Sequence, residues 1–134
     1  MFMERITPVN IIKLNKSEIF VFGSNESGRH GKGAAKTAIK WGAKYGQSSG
    51  IQGRTYAIPT KNKSITKTLT LSEIKHYVDI FIEFAKINKS LIFLVTEVGC
   101  GLGGLSPKDV APLFKGAFDI ENIYLPERFW YYGS

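Results

Sequence analysis

The sequence predicts an α/β protein, a three-layer α/β/α sandwich on a mixed, largely parallel central sheet. Three observations point there. Strand-like apolar runs alternate with segments of helical periodicity, in the order strand–loop–helix, strand–helix, strand–loop–helix, strand. Such alternation covers both faces of a mostly parallel sheet with helices. Two of the strand-to-helix passages, 23–33 and 99–104, are rich in glycine. The segment Leu91-Ile92-Phe93-Leu94-Val95, unbroken in its apolar character, has the pattern of a strand covered on both sides.

The elements follow in order. Ile11 and Ile12 suggest a first strand, and Asn15, Lys16 and Ser17 a turn. Residues 18–22 are β-branched and aromatic and read as a buried strand. The segment 25–32, flanked and interrupted by Gly23, Gly28 and Gly31, reads as a loop. From Gly33, the residues Ala34, Ala35, Ala38, Ile39 and Trp41 fit one face of a helix, with Lys36 and Lys40 outside; Gly42 and Gly46 mark its end. Residues 47–53 are polar and read as surface. Residues 55–58 form a short strand that Pro59 is expected to end. Lys61, Asn62, Lys63 and Ser64 make an exposed basic loop. Ser72 is the expected cap of a strong helix whose buried stripe is Ile74, Tyr77, Val78, Phe81, Ile82 and Ala85. After the second glycine loop, Ser106 and Pro107 open a helix reaching about Gly116. Residues 120–125 close the pattern as a strand. The tail, 127–134, carries Phe129, Trp130, Tyr131 and Tyr132.

The 134 residues suit one domain, 1–134, with aromatic residues enough for a core: nine Phe, six Tyr and two Trp. The lone Cys100 cannot form an internal disulfide. Neither a signal-type segment in 1–10 nor a bilayer-length apolar run is present, so a cytoplasmic protein without a membrane partner is expected. Lys and Arg exceed Asp and Glu by 18 to 11, a formal charge of +7 that attracts anions. The excess is thinly spread, with local richness at Lys61, Lys63 and Lys67.

Both glycine loops lie where a strand hands over to a helix, the edge of an open α/β sheet at which ligands bind. Glycine lets backbone N–H groups approach an anion with no side chain between, and successive free N–H groups form an anion-holding nest. In the first loop, Gly23, Ser24, Asn25, Arg29, Gly31, Lys32 and Gly33 are the candidate ligand contacts. Asn25 suits a ribose hydroxyl, and equally suits a turn that satisfies its own backbone. Arg29 and Lys32 are placed to meet phosphate or solvent. His30 is either a general base or a hydrogen-bonded loop residue. In the second loop the candidates are Glu97, Gly99, Cys100, Gly101, Leu102, Gly103 and Gly104. Cys100 has no neighbouring base and reads as small packing rather than as a nucleophile. The phosphate-loop motif fails, because Lys32 is followed by Gly33 and position 26 is Glu. Gly99-x-Gly101-x-x-Gly104 matches the dinucleotide fingerprint formally, without the acidic partner in its usual place. One cysteine and two distant histidines give no zinc spacing, and no metal or cofactor is expected.

The pattern Val21-Phe22-Gly23-Ser24-Asn25, then His30-Gly31-x-Gly33-Ala34-Ala35, Thr55 to Thr60, Phe93 to Gly104 and Asn122 to Pro126, resembles the macro domain family, which binds ADP-ribose and relatives. The resemblance covers most of the chain and is nearest to short bacterial and phage-type macro-like proteins. It implies a macro-domain-like sandwich. Asn25 would match the asparagine that touches the distal ribose in members that remove ADP-ribose. Gly31 and Gly33 would match the first diphosphate loop; Gly99, Gly101, Leu102 and Gly103 would match the second. Phe129 or Trp130 would stack on a base. The family's acidic adenine-recognising residue has only Glu4 as a counterpart in the opening segment. Arg29, His30 and Lys32 stand where the family often has an aspartate.

The resulting expectation is a protein that binds ADP-ribose or a related phosphate-bearing nucleotide, with Asn25 and His30 as catalytic candidates if an ADP-ribosyl or phosphoryl linkage is hydrolysed. The alternatives are a nucleic-acid-binding module, using Lys61, Lys63, Lys67 and the aromatic tail, and an interaction protein docking through Trp130, Tyr131 and Tyr132.

Overall fold

A computed structural model describes residues 5–134. Five strands form one sheet in the order β2-β3-β1-β4-β5, where β1 is Glu18–Asn25, β2 is Gly50–Gln52, β3 is Thr55–Lys61, β4 is Ile92–Val95 and β5 is Ile123–Tyr124. Strands β3, β1, β4 and β5 are mutually parallel, and only β2 runs antiparallel, on β3. The helices are α1 (Gly33–Ile39), α2 (Leu71–Ile87), α3 (Pro107–Val110) and α4 (Glu127–Gly133), with a 3-10 helix at Ala111–Ala117. This is the α/β fold with a mixed, mostly parallel sheet that the alternation predicted. Among the described residues no helix is long and apolar enough to cross a membrane.

The period-2 geometry of β1 divides the core. Ile19 and Val21 point to one face and pack in the larger cluster with Ile74, Val78 and Phe81 of α2, Phe114 of the 3-10 helix and Phe129 of α4. Phe20 and Phe22 point to the other face, against Ala35 and Ala38 of α1 and the ring of Trp41, 5.0 Å from that of Phe20. Both faces of β1 are thus dry, which is why its sequence shows no polar alternation.

Several boundaries differ from the reading of the sequence. Ile11 and Ile12 form no strand; Ile12 is 80% exposed, and Ile11 packs beside the smaller cluster. Gly23, Ser24 and Asn25 belong to β1 rather than to the loop. Pro59 does not end β3: β2 reaches only as far as Ala57, so the missing N–H falls on an edge where β2 no longer pairs. The polar segment 47–53 contains β2, drawn into pairing by the turn to β3. Thr70, not Ser72, caps α2. Its Oγ1 accepts from Glu73 N at 3.1 Å while the Glu73 carboxylate accepts from Thr70 N at 2.9 Å, a reciprocal capping box. Ser106 does cap α3, but Pro112 has no N–H for the next helical bond, and the chain tightens into the 3-10 helix. The last strand is only Ile123–Tyr124, and the aromatic tail is the helix α4.

Candidate functional site

The chain leaves β1 for α1 on one side of the sheet order and crosses back beyond it to β4 on the other. The carboxyl ends of adjacent β1 and β4 therefore open a crevice, the topological switch point of an open α/β sheet. A cavity of about 840 Å³ occupies it. The first loop contributes Arg29, Gly31, Lys32 and Gly33; the second contributes Glu97, Gly99, Gly101, Leu102 and Gly103. Gly23, Ser24 and Asn25 of β1 lie between them, and Thr60 and Lys61 enter from the end of β3.

The two loops touch. Gly33 has φ +59, and a Cβ there would meet Leu102 Cδ1 at 3.2 Å, so a side chain would be both strained and crowded. Gly31 and Gly101 differ: a Cβ at either meets nothing within 4 Å. Gly103 is bare for a third reason, since its Cβ would lie 2.5 Å from the carbonyl oxygen of Gly99. That carbonyl accepts from Leu105 N at 2.9 Å and closes the second loop on itself. Thr96 fastens the loop's approach to β1, its Oγ1 donating to Val21 O at 2.7 Å.

The first loop is closed by Asn25. Its Oδ1 accepts from Ser27 Oγ at 2.8 Å and Arg29 N at 2.9 Å, and its Nδ2 donates to Arg29 O at 2.9 Å. The turn-forming role is thus present, and one Nδ2 hydrogen remains beyond these bonds. Ser24 Oγ donates to Ser48 O at 2.5 Å, tying β1 to the segment before β2. The residue preceding α1 is Lys32, whose side chain makes no capping bond, because an ammonium cannot accept.

The cavity is cationic. Arg29, Lys32 and Lys61 line it against a single carboxylate, Glu97, among the described residues. Glu97 is itself held by Arg128, which donates from Nε at 2.7 Å and from an Nη at 2.6 Å. That fork raises the pKa of Arg128 further above its ordinary value, chiefly through the bond to Glu97. A second cavity of about 370 Å³ shares Thr96 and Glu97 with the first and is otherwise lined by Ile6, Thr7, Pro8, Val9 and residues 126–128. Thr7 Oγ1 is buried there without a hydrogen-bond partner among the described residues. Glu4 lies outside the described residues.

Five expected site residues stand elsewhere. His30 is 1% exposed and does not line the cavity. It packs edge-on against Phe22, and its Nε2 faces Gln47 O at 3.1 Å; a carbonyl only accepts, so Nε2 carries the hydrogen. This ring braces the first loop against the segment before β2 and is closed to a general-base role at the cavity. Phe129 is fully buried, 5.3 Å from the ring of Phe114, and cannot stack on a base. Trp130 is likewise buried, its indole donating to Arg5 O at 2.8 Å. Cys100 and Gly104 are not among the lining residues. Burial, followed by the Glu97 charge, pushes the Cys100 thiol up to about 11, so it is protonated at neutral pH and is no nucleophile.

Thr60, Lys61, Tyr45, Ile65 and Thr96 line the cavity without having been placed there by sequence reasoning. The signal for Thr60 and Lys61 was the same carboxyl-edge rule that located the glycine loops; it applies to every parallel strand, and β3 looked too short to reach.

No family model matches the chain, and no curated protein matches it. Among solved structures, its fold is similar to that of Thermosipho africanus DarTG in complex with ADP-ribose, with a TM-score of 0.60 at 20% sequence identity. The match covers 95% of this chain and 40% of that one, so this chain spans less than half of that protein's length. The likeness is one of fold.

Proposed function

We propose that this chain is a macro-domain-like protein that binds ADP-ribose or a related nucleotide-sugar, with its diphosphate in the larger cavity. The observation that carries this reading is the meeting of two glycine-rich loops, from the carboxyl ends of adjacent parallel strands, over one cationic cavity. Bare backbone at Gly31 and Gly101 lets N–H groups reach phosphate oxygens, and Arg29, Lys32 and Lys61 supply charge. The similarity in fold to an ADP-ribose-bound protein supports the choice of ligand. A base joined to the diphosphate would extend past Thr96 and Glu97 into the smaller cavity.

Binding fits the geometry better than turnover does. His30 is buried away from the cavity, Asn25 is committed to its own loop, and Glu97 is ion-paired. The nucleic-acid reading loses Phe129 and Trp130 from its aromatic tail, because both are in the core. The docking reading keeps only Tyr131 and Tyr132 as exposed tail aromatics. Calorimetric titration with ADP-ribose, NAD and ADP tests the proposal. Saturable one-to-one binding of ADP-ribose is expected; no heat from any of the three would overturn it.

A further inference from the structure

Among the described residues Ile65 is the one non-glycine with a positive φ, +60°. A β-branched side chain in the left-handed region crowds its own backbone. Such a conformation persists only where its surroundings impose it, and it concentrates at ligand sites. Here Asn62 imposes it. The Asn62 carbonyl accepts from Ile65 N at 3.0 Å, and its Oδ1 accepts from Thr66 N at 3.0 Å and Lys67 N at 3.2 Å. Just beyond this turn, Thr68 Oγ1 donates to Gly103 O at 2.6 Å and fixes the segment to the second glycine loop. Glycine or asparagine would hold this turn more easily. The isoleucine side chain is therefore the feature to explain.

That side chain lines the larger cavity, as does Leu102, which is 63% exposed. Two branched aliphatic side chains are poor company for phosphate. They suit the carbon-bound face of a sugar ring, which has apolar C–H groups on one side and hydroxyls around its rim. We propose that Ile65 is a specificity-determining residue: with Leu102 it packs on the sugar carried by the far phosphate, so the site prefers a nucleoside diphosphate-sugar to a nucleoside diphosphate with a free terminal phosphate. The inference rests on the nucleotide reading above.

Titrating wild type, Ile65→Gly and Ile65→Val with ADP-ribose and with ADP tests it, alongside thermal melting. Wild type is expected to prefer ADP-ribose. Ile65→Gly relieves the backbone and should melt within a few degrees of wild type, yet lose about tenfold in its preference, the scale of a lost apolar contact. Ile65→Val, which keeps a branched wall, should hold the preference. An unchanged preference in Ile65→Gly, or equal binding of both ligands by wild type, overturns the assignment of Ile65 and leaves the nucleotide reading standing. If wild type binds neither ligand, both fall.

Discussion

Two glycines of the second loop should respond to the same substitution in opposite ways. In Gly103→Ala the new Cβ would sit 2.5 Å from Gly99 O and 2.9 Å from Gly99 C, backbone atoms that cannot swing aside. Relieving the overlap means opening the loop that the Leu105 N to Gly99 O bond closes at 2.9 Å. Overpacking costs about 1–3 kcal/mol and the hydrogen bond about 1 kcal/mol, so the loop is destabilised by about 2–4 kcal/mol. At roughly 4 °C per kcal/mol for a chain of this size, the melting temperature should fall by about 8–16 °C if the loop melts with the core. In Gly101→Ala the Cβ meets nothing within 4 Å, and Gly101 is not among the glycines of positive φ. Its melting temperature should be unchanged or slightly higher, because alanine reduces the freedom of the unfolded chain. The methyl nonetheless interposes itself in the cavity. Losing one charge-assisted hydrogen bond costs about 1.5–3 kcal/mol, or about 10- to 150-fold in affinity. Differential scanning calorimetry and titration with ADP-ribose read the two quantities separately. Equal melting of the two variants, or full affinity in Gly101→Ala, would refute the distinction between a glycine that closes the loop and one that faces ligand.

Lys32→Gln and Lys61→Gln should each weaken ADP-ribose binding about 3- to 10-fold at low ionic strength, an effect that shrinks near 0.5 M salt as screening shortens to a few ångströms; a salt-independent loss would point to misfolding instead. Phe129→Ala removes a fully buried ring and should cost about 3–5 kcal/mol in denaturant unfolding, with the affinity of the folded fraction intact. The Cys100 thiol, raised from its ordinary 9.0 to about 11, should be alkylated slowly by iodoacetamide at neutral pH and faster as pH approaches 11. Because the folded state holds this proton more tightly than the unfolded chain does, the associated stability is complete below pH 9 and is lost as pH rises to about 11; thermal melting across that window reads it.

The legible parts of the fold were those written in local chemistry. β1 and β4 announced themselves because both faces of each are buried, and α2 because its stripe Ile74, Val78, Phe81, Ile82, Ala85 is long. The glycine loops were visible as composition. Their convergence was expected from the carboxyl-edge rule and the family resemblance, not from any spacing, and it rests on β4 pairing beside β1. Phe129 was misplaced for a related reason, and of the two readings of His30 the structure shows the hydrogen-bonded loop residue. A histidine in a polar loop and a phenylalanine in a terminal segment look exposed locally, yet residues far away in sequence, Gln47 and Phe114, receive them. Ile65 was illegible because a β-branched residue gives no sign of a left-handed backbone; Asn62 creates that turn through side-chain bonds to residues four and five positions on.

The central claim is that backbone N–H groups from both loops address one anion. Amide chemical-shift mapping of ¹⁵N-labelled protein during titration with ADP-ribose tests it most directly. Concerted shifts in the amides of Gly31, Gly33 and Ala34 and of Gly99, Gly101 and Gly103, with the far end of α4 at Tyr131 and Tyr132 unmoved, are the expected result. Shifts confined to one loop, or centred on Lys63 and Lys67, would contradict it.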